Sequence, residues 1–119
     1  MKKKIIVCDD DASFRLLVSQ TLKDDYDIVE TDNGREAIKM ATSQPFDLLI
    51  TDIKMPQTHG LEVVERIREK NKTLPIMICS AFPAMKEDFV VKTSNIAAFF
   101  AKPINVNELK QKVFDAIGS

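Results

Sequence analysis

The chain has 119 residues, 45% hydrophobic and 29% charged, a size that allows one domain with a single core and excludes two. Seventeen basic against eighteen acidic side chains give a formal net charge of -1, so no global basic field points to direct nucleic-acid binding or to an anionic membrane. No run approaches the ~20 apolar residues of a membrane span, and Lys2-Lys3-Lys4 before Ile5-Ile6-Val7-Cys8 breaks at Asp9-Asp10-Asp11, short of a signal peptide. One domain over 1–119 in the cytoplasm is the expectation, with Cys8 and Cys79 as reduced core residues.

Four apolar runs each stop at a polar residue suited to phosphoryl chemistry. Ile5-Ile6-Val7-Cys8 stops at Asp9-Asp10-Asp11, Leu48-Leu49-Ile50-Thr51 at Asp52, Ile76-Met77-Ile78-Cys79 at Ser80, and Ala98-Phe99-Phe100-Ala101 at Lys102-Pro103. Stretches of helical period follow them. After the first, Asp11 suits an N-cap, and Phe14, Leu17, Val18, Thr21 and Leu22 lie on one mostly apolar stripe. A short strand is expected over Asp27–Thr31. Asn33 then sits at an N-cap position with Glu36 as reciprocal partner, and Ala37, Ile38 and Ala41 form the buried face of a second helix.

Pro45 closes the turn into the strand that ends at Asp52. A third helix should begin near Gly60, with Leu61, Val64 and Ile67 inward and Glu62, Glu65, Arg66 and Arg68 solvated. Pro75 marks the start of the strand ending at Ser80. A fourth helix with a weaker pattern, Met85 and Phe89 with Val90, is expected over Ala84–Lys92. Asn105 and Glu108 form a second capping pair, and Val106, Leu109, Val113, Phe114 and Ile117 make the last helix amphipathic.

Five strands alternating with five helices through right-handed crossovers give an α/β fold, a parallel sheet with helices on both faces. The functional cleft of such a sheet lies outside the carboxyl ends of its strands, where these polar residues fall. If the first and third strands are neighbours, Asp9, Asp10 and Asp52 converge. Two like charges ~4 Å apart repel by ~4 kcal/mol at the dielectric of a protein surface, so the acids call for a cation, Mg2+ first. Lys102 adds positive charge, and a carboxylate nucleophile with Mg2+ and a lysine suits phosphoryl transfer. Ser80 is placed to hydrogen-bond a phosphoryl oxygen.

Taken together, Asp9-Asp10, Thr51-Asp52-Ile53-Lys54-Met55-Pro56 continuing to Gly60, Ser80-Ala81 and Lys102-Pro103 closely resemble the receiver domains of two-component response regulators, over Lys4 to Ile117. The resemblance implies a doubly wound, flavodoxin-like sheet of order 2-1-3-4-5. It implies that Asp52 accepts a phosphoryl group from a histidine kinase or a histidine phosphotransfer protein. It also implies that Asp10 ligates Mg2+ directly and Asp9 mainly through water, with Asp52 and the backbone carbonyl of Lys54 as further ligands. Lys102 would pair with phosphoryl oxygens and precede a cis peptide. Ser80 and Phe99 would switch on phosphorylation, moving an output surface on the fourth helix, fifth strand and fifth helix toward a downstream target. Phe99 serves equally well as a core residue.

Departures from the family pattern are His59 before Gly60, Phe82-Pro83 after Ser80-Ala81, Asn95-Ile96 before the last strand, and phenylalanine rather than the common tyrosine at Phe99. Bulky Phe82 and Lys54, each two past a site residue, imply slow self-hydrolysis of the phosphorylated form. Two other readings compete. Asp9-Asp10-Asp11-Ala12-Ser13 resembles the nucleophile motif of haloacid dehalogenase-type phosphatases, with Asp9 phosphorylated, and a receiver-like interaction module would use the fold without phosphorylation. A flavin reading fails because Asp9-Asp10-Asp11 stands where a phosphate-cradling loop is needed. A stand-alone receiver and one cut from a longer regulator fit equally.

Overall fold

The computed structural model of the chain describes residues 2–53, 60–81 and 96–119, with side chains at 60 and 61 outside the description. In chain order the elements are β1 (Lys3–Cys8), α1 (Ala12–Leu22), β2 (Tyr26–Thr31), α2 (Gly34–Ser43), β3 (Leu48–Asp52), α3 (Gly60–Lys70), β4 (Ile76–Ser80), β5 (Ile96–Ala101) and α4 (Val106–Ile117). The strands form one five-stranded sheet of order β2-β1-β3-β4-β5, every pairing parallel. Each apolar run forms a strand where expected. The second strand starts one residue early, at Tyr26, and the last at Ile96 rather than Ala98. The helix expected over Ala84–Lys92 lies outside the described residues.

The alternating faces of the buried strands explain why both sides of the sheet carry helices. Ile5 and Val7 of β1 point, with Leu48, Ile50, Met77, Cys79 and Phe100, into a core shared with α1 and α4. Ile6 and Cys8 point the other way, with Leu49, Ile76 and Ile78, into a core shared with α2 and α3. Val63 is fully buried beside Val64 and Ile67, one inward position of α3 beyond those expected. Arg68, expected on the solvated face, is half-buried, and burial lowers its pKa.

Two expected core residues are not core. Leu17 is 42% and Phe114 55% exposed. The reason is how narrowly the helices sit on the sheet. The line i, i+4, i+8 buries Phe14, Val18 and Leu22 in α1, and buries Leu109 and Val113 with Ile117 half-buried in α4. A neighbour one residue along lies about 100° around the helix, off that line.

The helix starts follow their caps. Asp11 Oδ1 accepts from Ser13 N at 2.9 Å, and Asn33 Oδ1 accepts from Glu36 N at 2.9 Å. Asn105 Oδ1 accepts from both Asn107 N and Glu108 N at 3.0 Å. The reciprocal bond expected from Glu36 to Asn33 is replaced, because the Asn33 N–H donates to Thr31 Oγ1 at 3.4 Å. At the far end of α4, Gly118 takes φ 72°, where a side chain would be strained. Lys3 Nζ donates to the Ile117 carbonyl and the Tyr26 hydroxyl to the Gly118 carbonyl, tying α4 back to the starts of β1 and β2. Among the described residues no helix is long and apolar enough to cross a membrane.

This packing predicts that Leu48→Ala, fully buried in the sheet, lowers unfolding free energy by ~2–5 kcal/mol, whereas Phe114→Ala changes it by less than ~1 kcal/mol. Urea unfolding followed by circular dichroism measures both.

Candidate phosphoryl site at the carboxyl edge of the sheet

Strand register brings the polar residues to one edge. Cys8 of β1 lies opposite Thr51 of β3, so Asp9 follows beside Asp52. Asp52 is opposite Cys79 of β4, one residue before Ser80, and Ser80 is opposite Ala101 of β5, one residue before Lys102. The ladder continues into the loops through Asp9 N to Thr31 O at 3.1 Å and Lys102 N to Ser80 O at 2.7 Å. Ser80 and Lys102 are thus joined through the backbone.

One carboxylate oxygen from each of Asp9, Asp10 and Asp52 lies within 4.8 Å of the others. Asp9 is fully buried, Asp10 exposed, and the Asp52 side chain 13% exposed. Lys102 Nζ reaches into this group, 2.7 Å from Asp9 Oδ2 and 3.5 Å from Asp52 Oδ2, and lies 4.2 Å from the centre of the Phe14 ring. The Lys102–Pro103 peptide is cis, as the resemblance implied.

Each carboxylate oxygen of Asp9, and its backbone carbonyl, accepts a hydrogen bond from protein. Its Oδ1 accepts from Asp11 N at 2.9 Å, its Oδ2 from Lys102, and its backbone carbonyl from Arg15 Nη1 at 2.6 Å. Asp52 Oδ1 accepts from Ile53 N at 2.7 Å, while Oδ2 has the longer contact with Lys102. Of the two, Asp52 is the more accessible carboxylate.

Burial raises the Asp9 carboxyl above its usual range, and the Asp52 charge adds to this; the Lys102 and Asp11 hydrogen bonds offset only part. Burial alone would lower the Lys102 ammonium, but the hydrogen bond and charge of Asp9 and the charge of Asp52 outweigh it and raise its pKa. The ammonium therefore stays charged at neutral pH. Burial pushes the Cys8 and Cys79 thiols up to about 12, so neither offers the thiolate that an oxidation sensor needs.

Ser80 is fully buried at the end of β4. Phe99 is half-buried against the α2–α3 core, whereas Phe100 turns into the opposite core. Lys54, His59 and Phe82 lie outside the described residues. Sequence reasoning missed two side chains of α1. Phe14, assigned to the core, also faces the Lys102 ammonium, and Arg15 holds the Asp9 carbonyl. Their offsets of five and six residues from Asp9 form no recognised ligand spacing.

Residues 5–114 match the family described as response regulator receiver domain. The chain belongs to this family. It is 31% identical over 116 residues to the sensor histidine kinase TmoS of Ectopseudomonas mendocina, covering 96% of this chain but only 12% of that kinase. It is 27% identical over 116 residues to sporulation initiation phosphotransferase F of Bacillus subtilis, covering 95% of this chain and 92% of that protein. Among solved structures, response regulator protein TrrA of Thermotoga maritima in complex with Mg(2+)-BeF superposes with a TM-score of 0.87 at 36% identity, covering 96% and 98% of the two chains.

As a receiver domain, the chain is a signalling domain rather than a classical enzyme, of a kind found in both response regulators and sensor kinases. The haloacid dehalogenase-type alternative is not favoured. It would make a nucleophile of Asp9, whose carboxylate is buried and whose two oxygens are already bonded to Asp11 N and Lys102 Nζ. The three converging carboxylates form an all-oxygen donor set that fits a hard divalent cation.

A raised Asp9 pKa means that the folded protein binds this proton more tightly than the unfolded chain. In metal-free buffer the ionised carboxylate therefore costs stability above the folded pKa, and the loss is relieved as pH falls through it. Relative to Asp9→Asn, the wild-type melting temperature should rise as pH drops from about 7 to about 4. A difference that stays constant over this window in paired thermal melts would contradict the burial argument.

Proposed function

We propose that the chain, over residues 1–119, is a phosphoacceptor signalling domain in which Asp52 takes a phosphoryl group from the phosphohistidine of a sensor kinase or a histidine phosphotransfer protein. A carboxylate oxygen of Asp52 forms the new O–P bond as the N–P bond of the donor breaks, and the departing imidazole nitrogen keeps the electron pair. The observation that carries this reading is the meeting of Asp9, Asp10 and Asp52 oxygens within 4.8 Å, with the Lys102 ammonium between Asp9 and Asp52.

Asp10 and Asp52 would hold Mg2+ directly, Asp9 through water and Lys54 through its carbonyl. The bound ion would neutralise charge that builds on the phosphoryl oxygens. Lys102 moves its ammonium from the acids toward those oxygens, and Ser80 donates its hydroxyl to one of them. Phe99 then takes the space that Ser80 leaves, shifting a surface made by the helix expected over Ala84–Lys92, β5 and α4 for a downstream target protein. Neither direct nucleic-acid binding nor membrane attachment belongs to this reading, in keeping with a net charge of -1. Two free, buried cysteines favour a reducing, cytoplasmic compartment.

Incubation with acetyl phosphate and Mg2+, followed by intact mass measurement, is expected to add one phosphoryl group to the wild type and none to Asp52→Ala. Chelation of Mg2+ should reduce the yield. The same label yield in Asp52→Ala would overturn the assignment.

Self-dephosphorylation is slow in this reading, since Phe82 and Lys54 restrict the approach of water to the phosphoryl group. After removal of phosphodonor, Phe82→Ala should lose its label faster than the wild type. A wild-type protein that decays faster than the variant would refute the shielding role.

A further inference from the structure

We propose that Arg15 is a positioning residue for the cation site, acting through the backbone of Asp9 rather than through any ligand atom of its own. The inference rests on the reading of this edge as a Mg2+-dependent phosphoryl site.

The Arg15 side chain is 18% exposed and is held at two points. Its Nε donates to Glu30 Oε1 at 3.2 Å, and its Nη1 donates to the Asp9 carbonyl oxygen at 2.6 Å. Glu30 is fixed in turn by Ser19 Oγ, which donates to Glu30 Oε2 at 3.0 Å. A planar guanidinium held at Nε by a carboxylate and at Nη1 by a carbonyl has little freedom left to turn. Its contact with the carbonyl therefore sets the plane of the peptide joining Asp9 to Asp10. The Asp9 N–H is already fixed by Thr31 O, at 3.1 Å.

That peptide plane aims the exposed Asp10 carboxylate. Lys102 and Asp11 hold the Asp9 side chain, whereas Asp10 is placed largely by the backbone that carries it. The chain Ser19–Glu30–Arg15–Asp9 thus links α1 and β2 to the orientation of a cation ligand. Groups outside a metal's ligand shell commonly change metal affinity by ~10–100-fold through such orientation.

Charge and geometry predict opposite results, which makes the role separable. Arg15 carries a positive charge close to a cation site, so removing it would tighten Mg2+ binding if only charge counted. Removing a support for Asp10 would weaken it.

The test is isothermal titration of Mg2+ into the unphosphorylated full chain, for wild type, Arg15→Met and Arg15→Lys, with thermal melts in parallel. Arg15→Met is expected to bind Mg2+ ~10-fold more weakly. Arg15→Lys keeps the charge but cannot bridge Glu30 and the Asp9 carbonyl with a rigid fork, and it too should bind more weakly. Equal or tighter binding by a folded variant overturns the proposal, as does a lower melting temperature with unchanged affinity. Should Arg15→Met fail to fold, Arg15→Lys alone decides between the two results. A wild-type protein that binds no Mg2+ overturns the phosphoryl-site reading itself, an outcome distinct from wild-type binding that the variants share.

Discussion

The carboxyl edge of the sheet depends on one ion pair that reaches from the last strand to the first. Lys102 Nζ lies 2.7 Å from Asp9 Oδ2, with β3 and β4 between their parent strands. Asp9 is buried and stands beside two other acids, so without a nearby cation its charge would be poorly tolerated. The ammonium offsets part of this cost and has its longer contact with Asp52. The same lysine is thus a structural counterion in the metal-free protein and a candidate charge partner for a phosphoryl group.

Such a shared lysine requires a rigid support. The sheet supplies it by burying both faces of β1, β3 and β4, so that register cannot slip without moving a whole set of apolar side chains out of a core. α1 and α4 cover one face and α2 and α3 the other. α1 has a second task, because its first turns carry Phe14 to the Lys102 ammonium and Arg15 to the Asp9 carbonyl. Packing of this helix and arrangement of the acids are therefore coupled through adjacent residues.

The acids differ in availability as well as position. Asp9 is enclosed and bonded at both carboxylate oxygens, Asp52 is partly accessible with one oxygen held by Ile53 N, and Asp10 is exposed. In the proposed reading this gradient separates a charge-setting acid, Asp9, from the phosphoacceptor, Asp52. It is the physical reason a nucleophilic role suits Asp52 better than Asp9, although both residues end apolar runs of similar character.

Much of this was legible in one dimension. Apolar runs of strand length ending in Asp9, Asp52, Ser80 and Lys102 located β1, β3, β4 and β5, because a strand buried on both faces leaves a continuous apolar signature. Asp11, Asn33 and Asn105 marked helix starts through short-range bonds that sequence spacing alone can specify. Periodicity could not tell that Leu17 and Phe114 are exposed, since the width of a helix's contact with a sheet belongs to the packing. Nor could spacing reveal that Arg15 holds the Asp9 carbonyl or that Phe14 meets Lys102, contacts that exist only once α1 docks. The sequence by itself determined which residues end the strands and hence which chemistry gathers at one edge. Tertiary structure alone decided which acid is buried, which stays accessible and what supports them, because those properties arise from through-space burial and charge between segments far apart in the chain.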